Sequence, residues 1–415
     1  MSALPSRPTS VLLAGGGSAG HVSPLLALAD ALRERDPSVR ITALGTDTGL
    51  EHRLVPVRGY DLRTIPKVVF PRRPSGAAAS LPRELRGAVA AAASVIDAVA
   101  ADVVVGFGGH VSSPAYLAAR RRGIPLVVHE QNARPGLANR LGARLTPYVG
   151  TTFASTRLPH ARVVGMPLRR EIARLDRDAT RAEGLAAFGL RDTRPTLLVT
   201  GGSLGAQRLN ETFAARVGAL RAAGVQVLHV SGPAKQFTPK PPEVPDAHEA
   251  VGADEPPDAP YVVVPYVDRM DLAYAAADLV VARAGANTVC ELTAVGLPAV
   301  YVPLPVGNGE QRFNAADVVR AGGGVLVDDT ALTPQWVDRV LLAMLADPAR
   351  LSTMASAAAS VGVRDADQHL VDLVHEAAGS TRPRSRVRRS WRPPDVRDVR
   401  AVSDVPDVPT PPPTP

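Results

Sequence analysis

Three glycine-rich segments of the chain each follow an apolar run and lead into a predicted helix. They comprise residues 15–21 (GGGSAGH), 106–114 (GFGGHVSSP) and 201–207 (GGSLGAQ). Glycine lets the backbone approach a ligand closely, and the start of a helix presents free N–H groups at the positive end of its dipole. Ser203 adds a hydroxyl that can donate to a phosphate oxygen. Because they are spread over both halves of the chain, the segments predict a phosphate-bearing ligand in a cleft between two domains.

The first segment taken alone, residues 15–20, matches the dinucleotide-binding pattern G-x-G-x-x-G. Asp47 lies near the end of the next predicted strand, where an NAD-binding enzyme carries an acidic residue. An NAD-dependent oxidoreductase is therefore an open alternative, and so is a tight turn that binds nothing. An oxidoreductase would have no use for Ser203 or for the turn that follows residue 283.

Two polar clusters follow further predicted strands. Residues 283–291 (RAGANTVCE) form a small-residue turn that starts a helix, with Glu291 expected in the first helical turn. A carboxylate there either offsets the helix dipole, worth about 0.3–1 kcal/mol, or accepts the hydroxyls of a ribose, which its place at a strand's carboxyl end favours. Residues 129–132 (HEQN) put four polar side chains at a strand tip. They predict a ligand site, with a surface loop as the alternative.

Alternating β-branched runs and helical segments predict the elements that position these residues. The pattern stops after residue 168, where a charged helical stretch follows, and then restarts. The chain is therefore predicted to be an α/β protein with two Rossmann-like, doubly wound domains. The predicted strands are residues 10–14, 39–45, 103–106 and 125–129 in the first domain, and 196–200, 225–230, 261–264, 278–282, 299–303 and 325–328 in the second.

The predicted boundaries define an N-terminal domain, a C-terminal domain, a last helical region and a disordered tail. These are residues 8–168, 169–355, 356–379 and 380–415. Residues 232–260 are rich in proline and acid and predict a long loop. The tail holds eight arginines against four aspartates and many prolines, a composition that cannot bury a core. A basic tail suits an anionic membrane or nucleic acid, but a solvated tail is the favoured interpretation.

Composition limits the class of protein. The chain is 45% hydrophobic and 21% charged with a net charge of +7, as in an ordinary soluble protein. Its one cysteine, Cys290, permits no disulfide framework and fits a reducing compartment. The polar N-terminus is too short for a signal peptide, and Asp97 and Asp102 interrupt the most apolar stretch. Any work at a membrane is thus expected on its surface. Residues 67–73 (KVVFPRR) have the composition of an interfacial contact, with a solvated loop as the alternative.

Several motifs in order resemble the MurG family, the undecaprenyldiphospho-muramoylpentapeptide β-N-acetylglucosaminyltransferases of bacterial peptidoglycan synthesis. The similarity runs from about residue 10 to residue 378 and leaves out the tail. The segments that carry it are residues 15–29 (GGGSAGHVSPLLALA), 106–119 (GFGGHVSSPAYLAA), 129–140 (HEQNARPGLANR), 201–210 (GGSLGAQRLN), 282–305 (ARAGANTVCELTAVGLPAVYVPLP) and 310–315 (EQRFNA).

The resemblance implies a GT-B fold with a central cleft between the two domains. It implies an inverting enzyme that moves N-acetylglucosamine from UDP-GlcNAc to the 4-hydroxyl of undecaprenyl-pyrophosphoryl-MurNAc-pentapeptide (lipid I), giving lipid II. Other implied partners are an anionic membrane surface and further cell-wall synthesis proteins, but no nucleic acid. The implied location is peripheral, on the cytoplasmic face of the cell membrane. The residues implied to bind substrates are Ser18, Ala19, Gly20, Asn132, Arg169, Ser203, Val267, Ala286, Asn287, Thr288, Val289, Cys290, Glu291 and Gln311.

Departures from the family pattern are few. Ser18-Ala19 stands where Thr-Gly is common, Met166 where Asn is usual, and Cys290 where Ser is typical. Ser18 keeps the hydroxyl, whereas Met166 cannot make a side-chain hydrogen bond. Cys290 is interpreted as a small buried residue, since no neighbouring histidine in the sequence would activate it.

Inverting transfer needs a base for the acceptor hydroxyl and stabilisation of the departing UDP. His21 is the candidate catalytic base because it follows the first glycine turn and histidine transfers protons near neutral pH. Orienting the loop or binding an acceptor phosphate is its alternative role. Both Asp-x-Asp triplets, at 176–178 and 365–367, fall in predicted helices rather than at strand ends, so no metal and no cofactor is expected. A different GT-B transferase and a non-catalytic nucleotide-sugar-binding protein also remain open.

Overall fold

The computed structural model describes residues 8–68, 81–202, 205–235, 237–239, 259–306 and 308–380. They form two parallel sheets with helices on both faces of each. Ser203, the tail after residue 380, and most of the predicted segments 67–73 and 232–260 lie outside these residues.

The first sheet has seven parallel strands in the order β3-β2-β1-β4-β5-β6-β7. Buried Val, Leu and Ile side chains dominate its central strands, as expected for a sheet covered on both faces. The strands are β1 Ser10–Ala14, β2 Arg40–Gly45, β3 Asp61–Thr64, β4 Val103–Gly106, β5 Leu126–Glu130, β6 Tyr148–Thr151 and β7 Ala161–Val163.

The second sheet has six parallel strands in the order β10-β9-β8-β11-β12-β13. In both sheets the strand order reverses beside the first strand, and ligands bind at such a switch point in doubly wound folds. The strands are β8 Thr196–Thr200, β9 Gln226–Val230, β10 Tyr261–Val264, β11 Leu279–Ala282, β12 Ala299–Tyr301 and β13 Gly324–Leu326.

Helices connect the strands and cover the sheets. None of the described helices combines the length and apolar character needed to cross a membrane. They are α1 Ala19–Arg35, α2 Glu51–Val57, α3 Leu81–Ala98, α4 Ser112–Arg122, α5 Leu137–Gly142, α6 Arg170–Ala173, α7 Arg177–Ala187, α8 Gln207–Ala214, α9 Val217–Ala222, α10 Met270–Ala276, α11 Ala286–Ala294, α12 Glu310–Asn314, α13 Ala316–Ala321, α14 Pro334–Trp336, α15 Leu342–Leu345, α16 Pro348–Ser360 and α17 Ala366–Gly379.

All ten predicted strands are present, displaced by at most two residues at their ends. The three that were not predicted are β3, β6 and β7. β3 and β7 are edge strands with mostly exposed side chains, and β6 contains Gly150, so none carries a strong β signal. Helix α1 begins at Ala19, within the first glycine-rich segment, which brings Ala19, Gly20 and His21 into its first turn.

The last predicted helical region divides at residues 361–365 into the end of α16 and the whole of α17. Helix α17 buries Leu370, Val371 and Val374 in the same hydrophobic cluster as β1 and α1, so the chain returns to the first sheet. An ion pair between Arg162 and Glu376 lies at the surface of this contact.

Candidate functional site

The first glycine turn joins β1 to α1 at the switch point of the first sheet. Gly17 has a φ of 87°, a left-handed conformation that favours glycine, and Ser18 caps the helix with extended backbone. His21 Nδ1 lies 3.2 Å from the carbonyl oxygen of Gly16 and 3.1 Å from the hydroxyl of Ser18. Burial lowers the pKa of His21, while its bond to Gly16 opposes that shift. His21 is thus held neutral near physiological pH, as a base requires.

Glu51 lies fully buried beneath this turn, and the sequence analysis did not identify it. Its Oε2 accepts the N–H of Gly17 at 2.8 Å, and its Oε1 accepts the N–H and hydroxyl of Thr46 at 2.8 and 2.9 Å. Burial acts to raise its pKa, but the hydrogen bonds from the Gly17 and Thr46 backbone outweigh burial, so the pKa lies below its ordinary value. In sequence, Glu51 belongs to a charged helix start and resembles a surface residue.

The second glycine segment packs directly against the first. Gly109 has a φ of 81°, and a Cβ there would lie 2.5 Å from the carbonyl oxygen of Gly16, so only glycine fits. The register places Ala14 of β1 beside Gly106 of β4, which brings the two turns together. Between them opens a cavity of about 290 Å³, lined by both turns with Thr46, Thr48, Gly49, Lys67 and His110. Two cationic or ionisable side chains, Lys67 and His110, therefore accompany His21.

The polar run 129–132 divides into supporting residues and one residue at the cleft. His129 is buried and its Nε2 lies 2.8 Å from the carbonyl oxygen of Gly165; burial lowers its pKa to about 4. Glu130 is buried and accepts the backbone N–H groups of Asn132 and Gly136. Burial raises the Glu130 pKa against the effect of these bonds. Only Asn132 is half-buried, so the predicted ligand contact is reduced to this residue.

Asn132 and helix α12 meet across the two sheets through Asn314. Asn314 accepts the backbone N–H of Ala133 at 2.9 Å and donates to Asn132 Oδ1 at 3.3 Å. Gln311, on the same helix, accepts the backbone N–H of Leu304 at 2.9 Å, which fixes its carbonyl oxygen and leaves its amide NH₂ as a donor. Asn314 is a second residue that the sequence analysis did not identify as a connector.

The third glycine turn lies between β8 and α8, and its Ser203 is outside the described residues. Flanking glycines show how tight it is: a Cβ at Gly201 would lie 2.2 Å from the Ala206 nitrogen, and one at Gly205 would lie 2.1 Å from the Ser231 oxygen. Lys235 Nζ donates to the Gly205 carbonyl at 3.2 Å. A cation that the sequence analysis missed therefore stands at the predicted phosphate turn.

Glu291 lies in the second turn of α11, not in the first as expected, because the helix begins at Ala286. Offsetting the helix dipole therefore does not explain it. Tyr274 donates to its Oε2 at 2.8 Å, and Arg169 Nη2 lies 3.8 Å from its Oε1. Burial raises the pKa of Glu291, against the lowering effects of Arg169 and Tyr274. No other described residue donates to Oε1, so this carboxylate retains accepting capacity.

The start of α11 faces the first glycine turn. Asn287 donates to the carbonyl oxygen of Ala19 at 3.2 Å, so this predicted substrate residue links the turns of the two sheets. Ala286, Val289 and Val267 are buried in one hydrophobic cluster with Met166. Thr288 and Cys290 are half-buried beside them. Burial raises the pKa of the Cys290 thiol, which agrees with a small packed residue rather than a nucleophile.

Two parallel sheets whose turns meet across a cleft are the architecture of the GT-B fold. Residues 11–150 match the glycosyltransferase family 28 N-terminal domain, and residues 196–370 match the glycosyltransferase family 28 C-terminal domain. The chain belongs to glycosyltransferase family 28 and, within it, to the MurG family.

Similar proteins include two with the name UDP-N-acetylglucosamine--N-acetylmuramyl-(pentapeptide) pyrophosphoryl-undecaprenol N-acetylglucosamine transferase. That of Streptomyces avermitilis is 57% identical over 88% of this chain and 98% of its own length. That of Leifsonia xyli subsp. xyli is 58% identical, again over 88% and 98%. The crystal structure of Acinetobacter baumannii MurG is 30% identical, with a TM-score of 0.70 over 89% of this chain and all of its own.

This family membership rules out the oxidoreductase alternative raised by residues 15–20 and Asp47. In the structure, Gly17 gives its N–H to Glu51, so this N–H is not available to a pyrophosphate. Asp176 and Asp365 are the N-terminal caps of α7 and α17, so both Asp-x-Asp triplets start helices. Over the described ranges, no group of three His, Cys, Asp or Glu side chains could hold a metal ion.

Proposed function

We propose that this glycosyltransferase moves N-acetylglucosamine from UDP-GlcNAc to the 4-hydroxyl of lipid I, with inversion, and so forms lipid II. The observation that carries the proposal is the pairing of two turns across the cleft, through Asn287 and the Ala19 carbonyl. One turn holds a candidate base, His21, and the other an acidic residue with free accepting capacity, Glu291. The names of the similar proteins supply the donor and the acceptor.

The second sheet is proposed to bind the donor. Glu291 accepts the ribose hydroxyls through the oxygen that Tyr274 does not use. Arg169, about one-third exposed beside it, and the turn at Ser203 carry the diphosphate. The uracil lies against the backbone of Val267. The remaining proposed contacts are Ala286, Asn287, Thr288, Val289 and Cys290 around the nucleotide, and Asn132 and Gln311 on the sugar.

The first sheet is proposed to carry the acceptor and the base. Ser18, Ala19 and Gly20 form the wall of the cleft at the start of α1, where His21 takes the proton of the attacking hydroxyl. As the bond to the sugar forms, UDP leaves with added negative charge. Arg169 and the N–H groups at the third turn stabilise that charge, and the proposal uses no metal and no cofactor.

The acceptor's lipid requires contact with a membrane. We propose a peripheral position on the cytoplasmic face, on an anionic surface and near other cell-wall synthesis proteins. Support comes from residues 67–73, whose basic and apolar composition suits an interface. Of this segment, the structure describes Lys67 and Val68. The carbonyl oxygen of Val68 lies 3.1 Å from His110 Nδ1, beside the cavity. A membrane contact at that edge brings the lipid diphosphate close to His21.

A transfer assay tests the reaction. Purified protein is mixed with labelled UDP-GlcNAc and a lipid I analogue, and the product is analysed for a β-linked disaccharide and for released UDP. We expect both, without added metal and in the presence of EDTA. Binding of UDP-GlcNAc without transfer would favour a non-catalytic binding protein, and transfer to a different acceptor would favour another GT-B enzyme.

Liposome co-sedimentation tests the membrane contact. Vesicles with about 30 mol% anionic lipid are expected to bind the wild type. The double variant Phe70→Asp, Arg72→Glu should remain in the supernatant while its transfer to a water-soluble acceptor is retained. Equal sedimentation of the two proteins would remove residues 67–73 as the contact.

A further inference from the structure

Glu51 and His21 lie on opposite sides of a single peptide group. The N–H of Gly17 donates to Glu51 Oε2 at 2.8 Å, while the carbonyl of Gly16 lies 3.2 Å from His21 Nδ1. These N–H and C=O groups belong to the same peptide bond, which is planar and points them in opposite directions. One backbone group therefore connects a buried carboxylate to the imidazole.

The contact with the Gly16 carbonyl favours a proton on Nδ1 of His21. A carbonyl oxygen can only accept, so the contact with Gly16 requires an N–H at Nδ1. The Ser18 hydroxyl oxygen, at 3.1 Å, shares that N–H. Nε2 then has the lone pair, and none of the described residues forms a hydrogen bond with it. A Cβ added at Gly108 would lie 3.2 Å from Nε2, so Nε2 faces the second glycine segment, and His21 itself lines the cavity between the two glycine turns.

The surroundings of Glu51 are built for a carboxylate. A Cβ at Gly16, Gly45 or Gly49 would lie 2.4, 2.3 or 2.0 Å from a Glu51 side-chain atom, so three glycines enclose this group. Both of its oxygens are occupied by donors from Gly17 and Thr46. A charge that accepts from a peptide N–H polarises the peptide and makes its carbonyl a stronger acceptor. Glu51 therefore strengthens the acceptor that holds His21.

We propose that Glu51 is a positioning residue for catalysis, which fixes the orientation and tautomer of His21 through the Gly16–Gly17 peptide. It does what a carboxylate bonded directly to a histidine does in other enzymes, with one peptide group in between. The inference rests on the proposed role of His21 as the base.

The charges around His21 set the expected pH dependence. Those that face it are Glu51 through the peptide, His110 from the second glycine segment, and Lys67 across the cavity. Burial lowers the His21 pKa most, His110 lowers it further, and the Gly16 bond and Glu51 raise it. Removing the Glu51 charge should therefore lower the His21 pKa and move the acid limb of the rate profile to lower pH.

The test is a double-mutant cycle with Glu51→Gln and His21→Ala in the full chain. In wild-type background Glu51→Gln should lower kcat about ten- to hundredfold, as for other groups that orient a functional histidine. KM for UDP-GlcNAc should change less than about twofold. In His21→Ala background the same substitution should change kcat less than about twofold, since residues that act as a unit are not additive.

Asp102→Asn is the matched control. Asp102 is likewise a carboxylate that accepts two backbone N–H groups, from Thr9 and Ser10 at 2.7 and 3.0 Å, but these lie at the start of β1, at the opposite end of the strand from the glycine turn. It should leave kcat and the acid limb unchanged. An equal loss of kcat from Glu51→Gln in both backgrounds, or an acid limb that does not move, would overturn the inference.

A second measurement does not depend on turnover. Nitrogen-15 NMR of histidine-labelled protein, with His21 assigned by loss of its signals in His21→Ala, should show the Nδ1–H tautomer in the wild type and a mixture in Glu51→Gln. An Nε2–H tautomer in the wild type would overturn the inference. Wild-type turnover by His21→Ala would instead remove the base assignment of the proposed function, so the two failures are distinguishable.

Discussion

Two glutamates, the buried Glu51 at the first sheet and the half-buried Glu291 at the second, lie in opposite environments. Glu51 accepts three hydrogen bonds, two of them from backbone N–H groups, and its pKa is lowered despite burial. Glu291 accepts one, from Tyr274, and burial raises its pKa. A fully bonded carboxylate has little capacity left for a ligand, whereas a partly bonded one leaves a desolvated acceptor that a ligand can satisfy.

The two halves of the cleft therefore have different roles. The first sheet uses its glutamate to hold a turn and, through it, the base. The second uses its glutamate to meet the donor. Turnover should therefore depend on the first sheet, and affinity for the donor should depend on the second.

The largest effect is expected for His21→Ala. Loss of a general base lowers kcat by roughly 10²–10⁴-fold, while KM for UDP-GlcNAc stays within about threefold because the donor binds at the other sheet. Steady-state kinetics with a lipid I analogue measures both. His52→Ala, an exposed histidine of α2, is the control and should behave as wild type. A large rise in KM with kcat retained would place His21 with the donor and break the division.

The next effect is expected for Glu291→Gln. Hydrogen bonds to a charged group are worth about 1.5–3 kcal/mol, so KM for UDP-GlcNAc should rise roughly tenfold to hundredfold. Tyr274→Phe removes only the hydrogen bond that orients Glu291. The loss of about 1 kcal/mol of binding free energy should raise KM severalfold. Titration calorimetry with UDP gives the affinities directly. Unchanged UDP affinity in Glu291→Gln would show that this carboxylate does not meet the nucleotide.

Stability should separate the two glutamates by their pH dependence. Glu51→Gln should lower the free energy of unfolding by about 1–3 kcal/mol at pH 7, because a buried N–H loses its charged partner. The folded-state pKa of Glu51 is lowered, so its contribution is present above the ordinary value of 4.5 and is lost as pH falls through the folded pKa. The contribution of Glu291 to the free energy of unfolding has the opposite pH dependence, because the pKa of Glu291 is raised in the folded state.

Urea unfolding of wild type and Glu51→Gln at pH 7, 5 and 4 measures this dependence. The difference in free energy of unfolding between the two proteins should become smaller as the pH falls. For Glu291→Gln, the wild type should gain stability relative to the variant as the pH falls, because Glu291 then becomes neutral in the wild type. Parallel pH profiles for the two variants would contradict the contrast between the two environments.

The smallest effect is expected for Glu376→Gln, an exposed carboxylate that pairs with Arg162. Both side chains are about half exposed, at 49% and 50%. Such pairs contribute about 0–1 kcal/mol and are screened by salt. Urea unfolding should therefore differ little from wild type, and less at high salt. A loss as large as that of Glu51→Gln would show that burial and backbone donors are not what distinguishes Glu51.

Local patterns carried much of the fold and part of the site. A buried parallel strand followed by glycine and a helix start is a signal within a dozen residues, so ten strands and three turns were predictable. The edge strands β3 and β7 were not, because exposed side chains carry little β signal. The placement of Glu51 was not predictable either, because Glu51 lies in a charged helix start and its partners, Gly17 and Thr46, belong to other segments.

The sequence by itself determined two doubly wound domains, the glycine turns and the family resemblance, since each depends on short-range pattern and residue type. Tertiary structure alone decided that α17 returns to the first sheet, that Asn287 meets Ala19 across the cleft and that Glu51 rather than a ligand takes the Gly17 N–H. Burial and hydrogen bonding between distant residues decide these points, because they set which carboxylate is saturated and which is left to bind.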